Sequence, residues 1–298
     1  MEVKLQNQAY VLISASRNEG DYVEALVDCI AAQTIKPVCW VIVDDGSTDD
    51  TYAKSLARAQ HLPFLQVAKM PGGRPRSFAS QVYAAQHGAE LVKDLAYDFI
   101  GFLDADIRVQ PDYYEQLMKR FAANPKLGLI GGSVIDVYAG RKEDVRKGSE
   151  DFHVAGGVQF FRRLAFEKIG GYIPVPGGGQ DTVADIMVLM HGWEVRAFRD
   201  LPALHLRPEG VNSGNVYRRG LNWGQRFYLL GYHPLYFLAQ SARRIFHRPP
   251  ILGSICQLWG YLLATWRGSP RPVTDEFVRF LRKLQMKRLR SRLLGNSS

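Results

Sequence analysis

Between residues 9 and 123 the chain alternates short β-branched, apolar runs with stretches of helical periodicity, and each run ends in a polar turn. Residues 9–15 read as a first strand. The turn Ser16-Arg17-Asn18-Glu19-Gly20 opens a helix over 22–33, along which Val23, Leu26, Val27 and Ile30 fall at helical spacing. The β-rich run 38–43 ends in Asp44-Asp45-Gly46-Ser47-Thr48-Asp49-Asp50, where Ser47 or Asp49 can cap a helix over 51–60. Residues 62–67 read as a third strand. The loop Met70-Pro71-Gly72-Gly73-Arg74-Pro75-Arg76 leads into a helix over 77–95, and Pro111 starts another over 112–123. Such an order implies an α/β fold, a Rossmann-like, mainly parallel sheet with helices on both faces.

The run Phe99-Ile-Gly-Phe-Leu reads as a buried strand of that sheet, and it ends in Asp104-Ala105-Asp106. Ligands of open α/β sheets bind beyond the carboxyl ends of the strands, where these two acids belong. Two carboxylates one residue apart suit a hard divalent cation that carries phosphate oxygens. They also suit a solvated Asx turn with no ligand.

The formal net charge of +9 points to an anionic partner such as a nucleoside diphosphate, a nucleic acid or an anionic lipid. Most acids lie in the first two thirds, and the chain from Tyr217 onward is rich in Arg and Lys. The cysteines, Cys29, Cys39 and Cys256, have neither metal-ligand spacing nor the number for a disulfide framework, which suits a reducing compartment. Residues 1–8 contain no apolar signal-peptide core.

Further along, residues 127–134 read as a strand, the charged, turn-rich residues 138–150 as a mobile loop, and residues 154–163 as a glycine-containing strand before a helix over 164–169. Pro176-Gly-Gly-Gly-Gln180-Asp181 feeds a helix that runs to His191 and carries Asp185. Asp181 stands where an acid caps a helix or favours its dipole. A general base for an acceptor hydroxyl would need the same kind of side chain. Arg207 either neutralises a leaving diphosphate or is simply solvated.

The last third combines basic and aromatic residues. Residues 251–266 are apolar but shorter than the roughly 20 needed to span a bilayer. Residues 274–294 form a basic amphipathic helix with Phe277, Phe280, Leu281 and Leu284 on one side. This composition suits attachment to an anionic membrane surface, and equally core helices with a solvated basic face.

The stretches Ile13-Ser-Ala-Ser-Arg-Asn-Glu19, Val41-Ile-Val-Asp-Asp-Gly-Ser-Thr-Asp-Asp-Thr51, Gly72-Gly-Arg74 and Phe102-Leu-Asp-Ala-Asp106 together resemble the inverting family 2 glycosyltransferases with a GT-A-type fold, over roughly residues 9–207. The resemblance implies a nucleotide-sugar donor, a UDP-sugar first, and Mg²⁺ or Mn²⁺ at Asp104 and Asp106. It implies that Ser14, Ser16, Arg17 and Glu19 line the ribose and base, that Asp45 meets the nucleobase, and that Asp104 and Arg207 face the donor. Arg74 would lie near the phosphates, in Pro-Gly-Gly-Arg where many relatives have Asn-Gly-Gly-Lys. Gly157 would let the backbone approach the donor sugar. Relatives carry their base in a Glu-Asp pair about eleven residues before Gly-Trp or Gly-Tyr. Here Gly192-Trp193 stands at that distance from Asp181, with Gln180 in place of the first acid. Asp181 is thus the expected base, with Asp185 second and a non-catalytic relative as a further alternative. A late histidine, here His205, would complete the metal shell.

The expected organisation is a catalytic domain over 1–210 and a helical, basic extension over 211–298. The expected acceptor is a glycan or lipid-linked hydroxyl, with the enzyme peripheral on the cytoplasmic face of a plasma membrane. Two other classes remain: a nucleotidyltransferase, although no Gly-rich, Lys-containing signature follows the first strand, and a nucleic-acid-binding protein using the basic aromatic region. The clustering of acids at the ligand end of the sheet argues against nucleic acid as a partner.

Overall fold

The computed structural model describes residues 8–72, 78–138, 141–144, 153–207, 216–243 and 252–293. It divides into two compact units, Met1–Tyr172 with Gln180–Glu209, and Ile173–Gly179 with Gly210–Ser298.

The first unit contains β1 (Tyr10–Ser16), α1 (Val23–Ala31), β2 (Cys39–Asp44), α2 (Thr51–Ala59), β3 (Leu65–Lys69), α3 (Phe78–Val92), β4 (Phe99–Phe102), β5 (Ile107–Val109), α4 (Tyr113–Ala123), β6 (Leu127–Tyr138), β7 (Arg141–Asp144), β8 (Phe160–Arg162), α5 (Arg163–Lys168), α6 (Gln180–Met190) and β9 (Glu194–His205). A single 3-10 turn, Gly156–Val158, precedes β8. The strands form one sheet in the order β3-β2-β1-β4-β8-β6-β9-β5, with β7 paired to β6. The half β3-β2-β1-β4 is parallel. Beyond β4 the sheet becomes mixed: β8 is antiparallel to β4 and β6, β9 is parallel to β6, and β5 is antiparallel to β9.

All residues of β2 and all but one of β1 are buried, so these strands read as apolar runs rather than alternating ones. On α1 the buried residues are Val23, Leu26, Val27 and Ile30, the four that helical spacing selects. β3 starts three residues later than the sequence suggests. Pro63 has no N–H for the ladder, and Leu65 N–H instead closes a turn on the Leu62 carbonyl at 2.9 Å. Within the expected mobile loop over 138–150, Arg141–Asp144 forms a strand antiparallel to the end of β6. A ladder of backbone bonds needs no apolar side chains, and charged residues are what edge strands use to resist further pairing.

The chain runs outward from β1 through β2 to β3, then returns to place β4 on the other side of β1. The strand order therefore reverses between β1 and β4. In an open α/β sheet this reversal opens a crevice at the carboxyl ends.

The second unit is helical: α7 (Val216–Leu229), α8 (Pro234–Arg243), α9 (Leu252–Trp266) and α10 (Asp275–Leu293). Helices α7 and α9 lie almost backbone to backbone. A Cβ at Gly224 would fall 1.9 Å from the Gln257 carbonyl oxygen, and one at Gly260 would fall 2.2 Å from that of Leu221. Phe277 and Leu281 of α10 are buried, as its amphipathic pattern requires. Among the described residues no helix is long and apolar enough to cross a membrane.

Candidate active site

The carboxyl ends of β1 and β2 lie side by side, with Ser16 in register with Asp44. The loops that follow are stitched together. Asn18, in the left-handed region at φ 56°, donates its backbone N–H to Ser47 Oγ at 3.0 Å, while its side-chain oxygen accepts from the Thr48 N–H at 2.8 Å. Left-handed backbone suits Asn better than most residues. Glu19 N–H donates to Thr51 Oγ1 at 2.7 Å, and Gly20 N–H to Asp49 Oδ2 at 3.1 Å. Arg17 Nη1 lies 3.5 Å from Asp45 Oδ2. Ser14 is fully buried and accepts from Trp40 Nε1 at 3.1 Å, so its hydroxyl supports the strand end from inside. Ser16 Oγ and Asp44 Oδ1 are buried with no hydrogen-bond partner among the described residues. Unmatched buried polar atoms are costly, and these two lie at the carboxyl ends of β1 and β2.

Asp104 and Asp106 follow β4 at the strand-order reversal. Asp104 Oδ1 accepts from Gln81 Nε2 at 2.9 Å, and its backbone N–H donates to the Gly157 carbonyl at 3.1 Å. Gly157 has a steric reason to be glycine: a Cβ there would lie 2.6 Å from Asp104 Oδ2. The short β5 pairs with β9 so that Ile107 faces His205. That register sets His205 Nε2 3.4 Å from Asp106 Oδ2 and Arg207 Nε 3.1 Å from the same oxygen. On the other side of β9, Asp136 of β6 is in register with His205 and binds its Nδ1 at 2.7 Å. Arg207 also pairs with Glu19 and lies over the Tyr22 ring at 4.8 Å.

Burial raises the Asp104 carboxyl, and the Asp106 charge beside it pushes the same way. Burial acts likewise on Asp106, but hydrogen bonding and charge from His205, with the charge of Arg207, outweigh it and hold Asp106 below the usual carboxylate range. Burial alone would lower His205, yet its bonds to Asp106 and Asp136 lift it to about 9. Glu19 is lifted to about 7 by burial, with the Arg207 charge partly offsetting. The cluster is a compact set of alternating charges held by opposition.

A cleft of about 210 Å³ opens here, lined by Ile13 and Ala15 of β1, by Gln81, Asp104 and Gly157, and by Asp136, Asp181 and His205. It lies at the reversal between β1 and β4, as the topology requires. Asp181 occupies the first turn of α6, with its side chain about one fifth exposed. Asp185, one turn further on, is 2% exposed and is not part of the cleft wall. Its oxygens bind His153 Nδ1 and, at 3.2 Å, Gln159 Nε2, and Gln159 Oε1 accepts from the Tyr172 hydroxyl at 2.6 Å. Burial raises Asp185 to about 6 despite the opposing His153 charge. His153 Nε2 lies 3.9 Å from Asp181 Oδ2, so the histidine stands between the two acids.

The structure thus brings Asp104, Asp106, Gly157, Asp181, His205 and Arg207 to one end of the sheet, with Arg17, Glu19 and Asp45 on the adjoining loops. Asp185 sits beneath the cleft rather than in it, and Arg74 lies outside the described residues. Sequence reasoning missed Gln81, Asp136, His153 and Gln159. Asp136 and Gln159 carried a signal: each is a lone polar residue in an apolar β run, Val134-Ile-Asp136-Val and Val158-Gln159-Phe. His153 and Gln81 carried none, because their partners are distant in sequence.

The family model for glycosyl transferase family 2 matches residues 11–167. No curated protein matches the chain. Among similar solved structures is S. aureus TarS 1–349 in complex with UDP-GlcNAc, 15% identical with a TM-score of 0.56, over 75% of this chain and 67% of that one. Another is the mannosyltransferase PcManGT from Pyrobaculum calidifontis in complex with GDP-Man and Mn²⁺, 18% identical with a TM-score of 0.57, over 96% and 86%. A third is GalNAc-T7 with UDP, GalNAc and Mn²⁺, 15% identical with a TM-score of 0.58, over 88% and 54%. At these identities the likeness is one of fold, the GT-A type.

Proposed function

The chain belongs to glycosyl transferase family 2 and is a nucleotide-sugar-dependent glycosyltransferase, and on that premise we propose that it inverts the anomeric centre in a single displacement with Asp181 as base. The observation that carries this reading is that Asp104 and Asp181 line one cleft at the strand-order reversal, with Gly157 against Asp104.

The donor nucleoside, a UDP moiety in the first instance, lies over the ends of β1 and β2. Ser16, Arg17, Glu19 and Asp45 supply polar contacts there, and the unmatched Ser16 Oγ and Asp44 Oδ1 gain partners. The diphosphate runs toward Asp104, Asp106 and Arg207, and the sugar rests on the Gly156-Gly157 backbone. The cleft holds an acceptor hydroxyl within reach of Asp181. Asp181 takes its proton as the oxygen attacks the anomeric carbon. The bond from that carbon to the diphosphate oxygen breaks, and its electron pair leaves with the nucleoside diphosphate. Arg207 stabilises the charge that develops there.

The donor set fits Mg²⁺ or Mn²⁺. Among the described residues no three His, Cys, Asp or Glu side chains already form a metal cage. An ion shared with a diphosphate needs only one or two carboxylates from the protein. Asp104 and Asp106 would hold it through oxygen, with His205 as a nitrogen ligand oriented through Nδ1 by Asp136, an outer partner common for metal-bound histidine. When bound, such a cation neutralises the leaving diphosphate. The acceptor is a glycan or lipid-linked hydroxyl, and the basic second unit attaches to an anionic membrane surface, in keeping with a peripheral enzyme on the cytoplasmic side.

The test is nucleotide release from UDP-, GDP- and dTDP-sugars with Mn²⁺, comparing the intact protein with Asp181→Asn and Asp106→Ala. One nucleotide released only with metal, with loss on the order of 10²-fold or more in both variants, is the expected result. Wild-type release by Asp181→Asn removes that residue as base.

A further inference from the structure

The exposed apolar residues of the second unit are concentrated on one helix. On α9, Ser254, Gln257 and Ala264 are buried, and Gly260 meets the α7 backbone. Ile255, Trp259, Leu262 and Trp266 are 53%, 57%, 56% and 84% exposed. Steps of four, three and four residues place these four on a single face. The helix thus turns its small and polar residues inward and its large apolar residues outward, the reverse of a helix adapted to water. Leu235 and Leu238 of α8, which packs against α9, are also half exposed. Contiguous apolar surface of this kind marks an interaction site.

The charge of the same region selects the partner. Residues 211–298 contain 15 Lys and Arg against 2 Asp and Glu, whereas residues 1–210 contain 23 against 27. The chain's whole positive excess therefore resides here. Arg267 follows Trp266 directly and is exposed, as are Arg279, Lys283, Lys287 and Arg290 of α10. A second copy docked on this face would set two such cationic regions against each other. At 15 residues, α9 is about 22 Å long, short of a bilayer core. Tryptophan is enriched at the level of the lipid headgroups, and neighbouring cations are attracted by anionic lipid.

We propose that the Ile255–Trp259–Leu262–Trp266 face of α9 seats in the interfacial layer of an anionic bilayer, with the helix parallel to the surface and the unit's arginines and lysines on the headgroups. This deepens the membrane-attached reading above by naming the surface that makes the attachment, and its test needs neither donor nor turnover.

The full chain is sedimented with vesicles of phosphatidylcholine, with and without phosphatidylglycerol, alongside the double variants Trp259→Gln/Trp266→Gln and Ile255→Gln/Leu262→Gln. These side chains are more than half exposed, and unchanged circular dichroism and melting confirm that both variants fold. The intact chain is expected to bind the anionic vesicles, and each double variant to partition on the order of tenfold less. Brominated acyl chains are expected to quench the fluorescence of the intact chain. Equal binding by the variants, no binding by the intact chain, preference for a single-stranded oligonucleotide over vesicles, or a dimer in gel filtration that the variants abolish would each overturn the proposal. Vesicle binding without nucleotide release would instead count against the enzymatic reading alone, and release without vesicle binding against this one alone.

Discussion

Replacing Gly157 by Ala tests whether the Asp104 carboxylate is held where the chemistry needs it. The added Cβ would lie 2.6 Å from Asp104 Oδ2, 3.0 Å from Cγ and 3.2 Å from Cβ. Ordinary carbon contacts begin near 3.5 Å, so the shortfall at the oxygen is about 0.9 Å. Rotation of the carboxyl cannot relieve it, because Cγ and Cβ are crowded too. The whole side chain must move, away from Gln81 Nε2 at 2.9 Å. A displacement near 1 Å at a positioned catalytic group can cost about 10²-fold, so kcat/KM for nucleotide release should fall between about tenfold and a hundredfold, or about 1.4–2.7 kcal/mol of barrier. Stability should change less, by about 1–2 kcal/mol, as for other small overpacking changes. Gly253→Ala is the internal control: it makes the same change in α9, where the added Cβ would meet nothing within 4 Å. Kinetics with saturating and subsaturating Mn²⁺, with melting curves for both variants, decide the matter. Full activity in Gly157→Ala, or equal losses in the two variants, would refute the argument that Asp104 is positioned by that contact.

Asp185 should give the fold a characteristic pH dependence. Its value rises from 3.8 unfolded to about 6 folded, so the folded state holds its proton longer; this stabilisation is full below about pH 4 and is lost as pH rises through about 6. The amount is about 3 kcal/mol, and Asp185→Asn should flatten the slope of urea-unfolding free energy against pH over that interval; parallel slopes would contradict the assignment. His205 acts over a higher window. With its value raised to about 9, its contribution is full below about pH 6.5 and fades as pH climbs through 9. In chelator, Asp136→Asn should lower the His205 value measured by NMR, and an unmoved titration would show that Asp136 does not orient the ring. In the second unit, Gly224→Ala would drive a Cβ to 1.9 Å from the Gln257 carbonyl oxygen. It should loosen the α7–α9 pair by 3 kcal/mol or more, on the order of the larger overpacking penalties, and raise protease sensitivity there; wild-type resistance would refute the close packing.

The alternation of strands and helices, the buried face of α1 and the placing of Asp104 and Asp106 just past a strand were all legible in the residues alone. These are local properties. Apolar periodicity within ten or so residues chooses helix or strand, and a polar turn must follow a buried run because backbone groups there need water or side-chain partners. The edge strand β7 was not legible, since its charged residues are held by backbone bonds that no side-chain pattern announces. The charge cluster was legible only in part. Glu19 and Arg207 are 188 residues apart, and His205 and Asp136 are 69 apart. The pairing of β9 with both β5 and β6 decides which acids His205 meets, and a shift of one residue would send its side chain to the opposite face of the sheet. The same holds for the two acids of α6. On sequence, Asp181 and Asp185 are equivalent carboxylates one turn apart. Only the tertiary structure, by packing His153, Gln159 and Tyr172 around one and leaving the other on the cleft, gives them different environments, because burial and hydrogen bonding act through space rather than along the chain.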